Sequence, residues 1–361
     1  MAHGKKASRI RFSRFWSSAS GFWRGKSALA SWPLTIGLLA IGLTQLAVQY
    51  RLNYWNRDFF NALELRDSSG LWHQAILFVP LACLSVGLSV TSVWGRMATQ
   101  RRWREWLTTN ILDNWLSQEH YRRLESVTGE YQNAEYRISV DARTATDAPV
   151  DLALGFVTSA LTALVFIDVL WNVGGSLTVM LGQAEVTVPG YLVIGVGIYA
   201  LVFTSAMIAI GRNLPTVIQA ETQAEAEWIA CTHQIRESGK RTAAVASEIE
   251  KRQLAWDTFR QVLARWRQLC WQLMGTTMVS QTDLLFAPVF AWVLCAPKYL
   301  AGTMTLGELT QASAAFVTLQ VAFNWLVDNY GRLSDWRAAV NRVATLLLAL
   351  DEVKLLERQT K

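Results

Sequence analysis

Charge is scarce in this chain. Only 17% of its 361 residues are Asp, Glu, Lys or Arg, against about 25% in soluble domains. Because 52% are hydrophobic and 17 are Trp, the deficit points to lipid and argues against disorder. Cysteine is as sparse, with four residues and no Cys-x-x-Cys spacing, so neither a disulfide scaffold nor a zinc site is indicated. Only His3, His73, His120 and His233 are present. The apolar stretches hold neither a His/Asp metal cluster nor a nucleophile with its base, so no catalytic residue, metal or cofactor is expected. No glycine period suggests a fibrous rod. A polytopic membrane protein remains.

Six runs nearly free of charge suit a hydrocarbon layer of about 30 Å: 27–50, 68–95, 152–184, 186–211, 268–297 and 309–327. The cations distribute one-sidedly around them. Of 34 Lys and Arg, all but Arg51, Arg57, Arg66 and Lys298 fall in 1–26, 96–151, 212–267 and 331–361. Positive charge stays inside, so an even number of spans is required and both termini are expected in the cytoplasm. The net charge of +6 then reflects topology and anionic lipid, and a nucleic-acid partner is not expected.

Residues 1–26 interleave Lys5, Lys6, Arg9, Arg11, Arg14, Arg24 and Lys26 with Phe12, Phe15, Trp16, Phe22 and Trp23, the pattern of an interfacial helix. No cleavable signal peptide is read before the first span. The connections 96–151 and 212–267 are of equal length and rich in helix formers. Each is expected to be a helical hairpin extending the spans on the order of 35–40 Å into the cytoplasm. The expected domains are the basic segment 1–26, a transmembrane domain over 27–330 and a cytoplasmic tail, 331–361. The fold class is all-α, six transmembrane helices with long cytoplasmic extensions.

That layout suggests the membrane half of an ABC exporter-type fold, and the residues add to it. The stretch 51–67, RLNYWNRDFFNALELRD, resembles the segment after the first span in the SbmA/BacA-like group and its ATPase-fused relatives. QRRWREWLT at 100–108, NAEYRISVD at 133–141, EAEW at 225–228 and YLAGTMTLGELTQ at 299–311 match in the same order. The resemblance implies a homodimeric transporter of peptides or similarly bulky amphipathic compounds in the bacterial inner membrane. There are departures. No phosphate-cradling Gly-x-x-x-x-Gly-Lys-Ser/Thr occurs, since Gln234 and Arg241 spoil the frame around Gly239 and Lys240. ATP hydrolysis by this chain alone is therefore not expected, nor is a nucleotide-binding domain within it. Three readings follow: a transporter driven by protons, the permease of a pump with a separate or missing ATPase subunit, or a non-transport membrane scaffold or receptor.

Acidic residues are the sequence candidates for mechanism. The resemblance implies proton coupling at Glu225 and Glu237, with Glu221 and Glu227 beside them. Glu221 and Glu225 are four residues apart, so they share a helix face and repel. The same acids also read as partners of the basic residues on a solvated arm. Asp168 and Asp283 lie in apolar runs, where a carboxylate normally faces a cavity or a partner. Asp168 could instead snorkel to the outer surface, whereas Gln281 beside Asp283 adds to a polar, lumen-like patch. Trp55, Arg57, Asp58 and Phe59 alternate rings with an ion pair, either lining an outer mouth or bracing an elbow at the interface. The arm tips, 122–135 and 237–241, read as ATPase docking points or as free turns.

Overall fold

The computed structural model describes residues 2–25, 28–127, 134–181, 184–240 and 248–360. An amphipathic elbow, α1 (Ala2–Ala19), ends in a 3₁₀ turn at Ser20–Trp23 and leads to α2 (Ala28–Glu64). Then come α3 (Ser68–Leu116), α4 (His120–Val127), α5 (Ala134–Tyr136), a π-helical turn at Arg137–Asp141 and α6 (Ala142–Gly174). Two strands follow, β1 (Ser176–Leu181) and β2 (Ala184–Pro189). The rest is helical: α7 (Tyr191–Gly211), α8 (Leu214–Lys240), α9 (Glu248–Leu300), α10 (Leu306–Asp328) and α11 (Tyr330–Thr360).

Five helices among the described residues are long and apolar enough to cross a membrane. The expected span at 309–327 does form a helix, α10, but Gln311, Gln320 and Asn324 with several hydroxyls dilute its apolar content, and it is not among the five. At about 1.5 Å per residue the 53 residues of α9 reach about 80 Å. A bilayer core of about 30 Å leaves more than half of that helix outside hydrocarbon. Residues 128–133 and 241–247, which include the middle of the first arm tip and Arg241 of the second, lie outside the described residues.

The apolar runs expected as spans 152–184 and 186–211 are not helical throughout. Helix α6 stops at Gly174 and α7 begins at Tyr191, with an antiparallel hairpin between them in the register Ser176↔Pro189. Ser-Leu-Thr-Val-Met-Leu and Ala-Glu-Val-Thr-Val-Pro are β-branched and alternating, a strand pattern concealed by its own hydrophobicity. Glycines frame it. Gly175 and Gly190 have φ of 59° and 61°, a left-handed backbone that only glycine adopts without strain. A Cβ on Gly190 would also lie 2.3 Å from the Trp171 ring.

The chain divides into two compact units, Met1–Gly190 with Cys295–Lys361, and Tyr191–Leu294. In the first, α2 packs on α3, and α10 lies against both α2 and α6, while α11 joins α6 to the elbow. Its hydrophobic core gathers Phe15 and Phe22 of the elbow region, Trp103, Leu107 and Ile111 of α3, and Leu346 and Leu350 of α11. Arg14 clamps Asp351 with bonds of 2.6 and 2.9 Å, a pairing that raises the Arg14 guanidinium pKa against the opposing effect of burial. At the other end Asp67 caps α3 by accepting from the Ser69 amide and hydroxyl. The Ser69 hydroxyl bond lowers the Asp67 pKa below the ordinary carboxylate value. Thr305 and Glu308 close a reciprocal capping box on α10.

In the second unit α7 and α8 run back along α9. The Tyr199 hydroxyl donates to the Asp283 carbonyl at 3.1 Å, and its ring lies 5.2 Å from that of Phe290. Gln272 donates to the Ile210 carbonyl. Further along the arm, Trp228 meets Phe259 at 5.4 Å.

Candidate functional site

A cavity of about 530 Å³ opens between α2, α3, α6 and α10 of the first unit. Helical spacing builds its wall. Gly42, Gln45 and Gln49 share one face of α2, Ser85 and Ser89 one face of α3, and Thr158 and Thr162 one face of α6. Thr318 completes the polar set from α10, between Val317 and Val321. The α2 and α6 backbones come close here, since a Cβ on Gly42 would lie 3.2 Å from the Thr158 methyl.

None of the lining residues is ionisable. Ser89, Thr158 and Thr318 each donate to the carbonyl four residues earlier, at 2.9 Å. Hydroxyls that bond back in this way hold their protons on the helix and leave oxygen lone pairs for the cavity. Gln45 Nε2 reaches Ser89 Oγ at 3.4 Å across α2 and α3. The wall is thus neutral and rich in acceptors, with Leu46 and Leu52 supplying apolar surface. Such a surface suits a bulky solute with amide or hydroxyl groups better than a small ion.

Nearer the α10 N-terminus, Asn53 Nδ2 donates to the Gln311 carbonyl at 3.1 Å. Gln311 is fully buried, and neither atom of its side-chain amide has a hydrogen-bond partner; Asn53 Oδ1 also lacks one. An unmade buried amide costs about 1–3 kcal/mol. Gln311→Met is therefore expected to raise the unfolding temperature of the detergent-purified protein. A fall would mean the amide is satisfied by water.

The acidic and aromatic candidates from the sequence lie elsewhere. Trp55 Nε1 donates to the Gln74 carbonyl at 2.8 Å, and its ring meets Phe59 at 5.3 Å and Phe78 at 4.7 Å, which pins α2 to α3. Arg57 bonds Asp58 at 3.0 Å and lies 4.9 Å over the Tyr54 ring, with Arg51 3.8 Å from the same carboxylate. The four candidates thus fall into two pairs near the C-terminal end of α2, Trp55 with Phe59 and Arg57 with Asp58. Asp168 is exposed on α6. Gln281 is exposed and Asp283 half-buried on α9, in the second unit. Glu221 and Glu225 are half-buried and Glu227 and Glu237 exposed along α8, with Gln223 donating to Glu227 at 2.9 Å. None of these residues lines the cavity. Sequence reading attended to charge; the available signal was hydroxyls and amides repeated at three- and four-residue spacing.

Comparison with known proteins agrees with this architecture. Residues 26–300 match the family described as ABC transporter transmembrane region 2. The chain is 27% identical over 333 residues to the inner membrane ABC transporter ATP-binding protein YddA of Escherichia coli, covering 89% of this chain and 58% of that protein. It is 24% identical over 326 residues to an uncharacterized ABC transporter ATP-binding protein of Synechocystis, covering 89% and 46%. With the chloroplastic ABC transporter D family member 2 of Arabidopsis thaliana it shares 19% identity over 340 residues, covering 94% and 46%. The chain spans about half the length of these relatives. Its long apolar helices agree with a match over most of its length: the chain belongs to the ABC transporter transmembrane region 2 family.

Proposed function

We propose that this chain is the membrane-spanning part of a transporter that moves peptide-like or similarly bulky amphipathic compounds by alternating access, driven by ATP through nucleotide-binding domains. The observation that carries the reading is the uncharged, acceptor-rich cavity between α2, α3, α6 and α10, a surface suited to a solute that offers many amide donors. The bacterial relatives named as ABC transporter ATP-binding proteins favour ATP over a proton gradient as the drive. The acids available for proton coupling, Glu221, Glu225, Glu227 and Glu237, lie on α8 and do not line that cavity. The SbmA/BacA-like resemblance of 51–67 supports the peptide-like cargo.

In this reading α10 is the sixth span. An even count places both termini on the side rich in Lys and Arg, the cytoplasm of a bacterial inner membrane. A second copy completes the transporter. Ile218, Ile229, Leu254, Trp256, Leu263 and Trp266 are exposed on α8 and α9 outside the apolar runs 186–211 and 268–297, and exposed apolar surface of this kind marks an interface.

The test is uptake of a labelled amphipathic peptide into vesicles carrying the chain with a nucleotide-binding partner. Accumulation is expected with ATP, to fall roughly tenfold or more in Ser89→Trp, which fills the cavity, and to stay within about twofold in the Glu225→Gln, Glu237→Gln double variant. Accumulation driven by an imposed pH gradient alone, or an indifferent Ser89→Trp of native stability, would overturn the reading.

A further inference from the structure

No Asp or Glu precedes Asp58, while residues 1–26 hold seven Lys and Arg. This one-signed segment forms the elbow, and the elbow walls a second, partly open cavity of about 550 Å³ at the end of the first unit where the arms begin. Trp16 and Trp23 of the elbow region, Leu38 of α2, Trp103 of α3, Phe156 of α6 and Trp336 of α11 surround it. Aromatic rings in this number belong to the level where hydrocarbon gives way to headgroups.

The wall offers water almost nothing. Its two hydroxyls are already committed, Thr35 to the Ser31 carbonyl and Thr99 to the Gly95 carbonyl, both at 2.9 Å. A stable water needs two to four polar partners, so the space suits hydrocarbon. The indole N–H of Trp23 is likewise committed, to Thr35 Oγ1 at 3.3 Å. A hydrocarbon chain would fill the volume without leaving any of these groups unpaired. Arg24, exposed directly after Trp23, adds positive charge that selects an anionic headgroup. We propose that this cavity binds one acyl chain of an anionic phospholipid, with its headgroup at Arg24. The lipid ties the elbow to α3, α6 and α11 and is a component of the folded protein rather than transported cargo.

Native mass spectrometry of the full chain tests this after reconstitution in vesicles of equal phosphatidylglycerol and phosphatidylcholine and extraction into mild detergent. One retained phosphatidylglycerol per chain is expected, favoured about fivefold or more over phosphatidylcholine. Ala153→Trp, which fills the cavity, is expected to reduce that retention about fivefold or more, with Val157→Phe as the substitute should Ala153→Trp not fold. Equal retention of the two lipids, recovery of free fatty acid instead, or undiminished phosphatidylglycerol in the filled variant would overturn the proposal.

Discussion

Arg342→Ala is expected to lower the unfolding free energy by about 3 kcal/mol, the low end for orphaning a buried charge. Arg342 donates through Nε and Nη2 to the two oxygens of Asp141, both at 2.8 Å. The Asp141 side chain is only 2% exposed, whereas that of Arg342 is 49% exposed. The bond to Asp141 raises the Arg342 pKa against the opposing effect of burial, so the guanidinium stays charged throughout the physiological range. The asymmetry of burial sets the order of effects. Without Arg342 the carboxylate stays desolvated and unpaired; in Asp141→Asn the guanidinium can turn to water and no buried charge is left. Asp141→Asn should therefore cost clearly less, and the double variant should recover part of the Arg342→Ala loss. Denaturation of the three proteins in one detergent checks this, and equal costs for the two single changes would refute the burial argument. The π-helical turn at Arg137–Asp141 carries Asp141 at its end, so the same experiment reports how firmly α11 holds the returning arm.

That contact was invisible in the sequence, although much around it was legible. The apolar runs and the long arms could be read because hydrophobicity and helix-forming composition extend over dozens of residues; α3 and α9 continue unbroken for 49 and 53. Features set by a few residues were not read. The first arm is interrupted at Ser117–Glu119, where Gln118 and Glu119 have φ of 50° and 59°, so arms of equal length are not alike in shape. The helical fold of the expected cytoplasmic tail is of the same kind: α11 (Tyr330–Thr360) buries Val340, Val343, Leu347 and Leu350. Their three- and four-residue spacing was a readable amphipathic stripe. The neutral cavity escaped for a different reason. A serine or threonine in a span is common enough to carry no signal alone; only the meeting of four helices makes those hydroxyls a surface.

Gly307→Ala is expected to be among the most damaging small substitutions in the chain. A Cβ there would lie 2.1 Å from the Arg57 carbonyl oxygen and 2.4 Å from Asn61 Oδ1. The glycine amide already donates to Asn61 Oδ1 at 3.0 Å, and the preceding Leu306 amide donates to Glu64 at 2.9 Å, so the end of α2 caps the first turn of α10. Overpacking of a tight contact typically costs about 1–3 kcal/mol, and this one belongs at the top of that range because one obstacle is backbone. Side-chain relief separates the two causes. Asn61→Gly removes the second clash but not the first, and it also deletes a cap, so the Gly307→Ala, Asn61→Gly pair should be no more stable than Gly307→Ala alone. Thermal unfolding of the purified variants reads this directly. Native stability in Gly307→Ala would mean that α2 and α10 can separate by about an ångström at little cost. If they cannot, these two walls of the neutral cavity move as one body, and any change in its width has to come from α3 or α6.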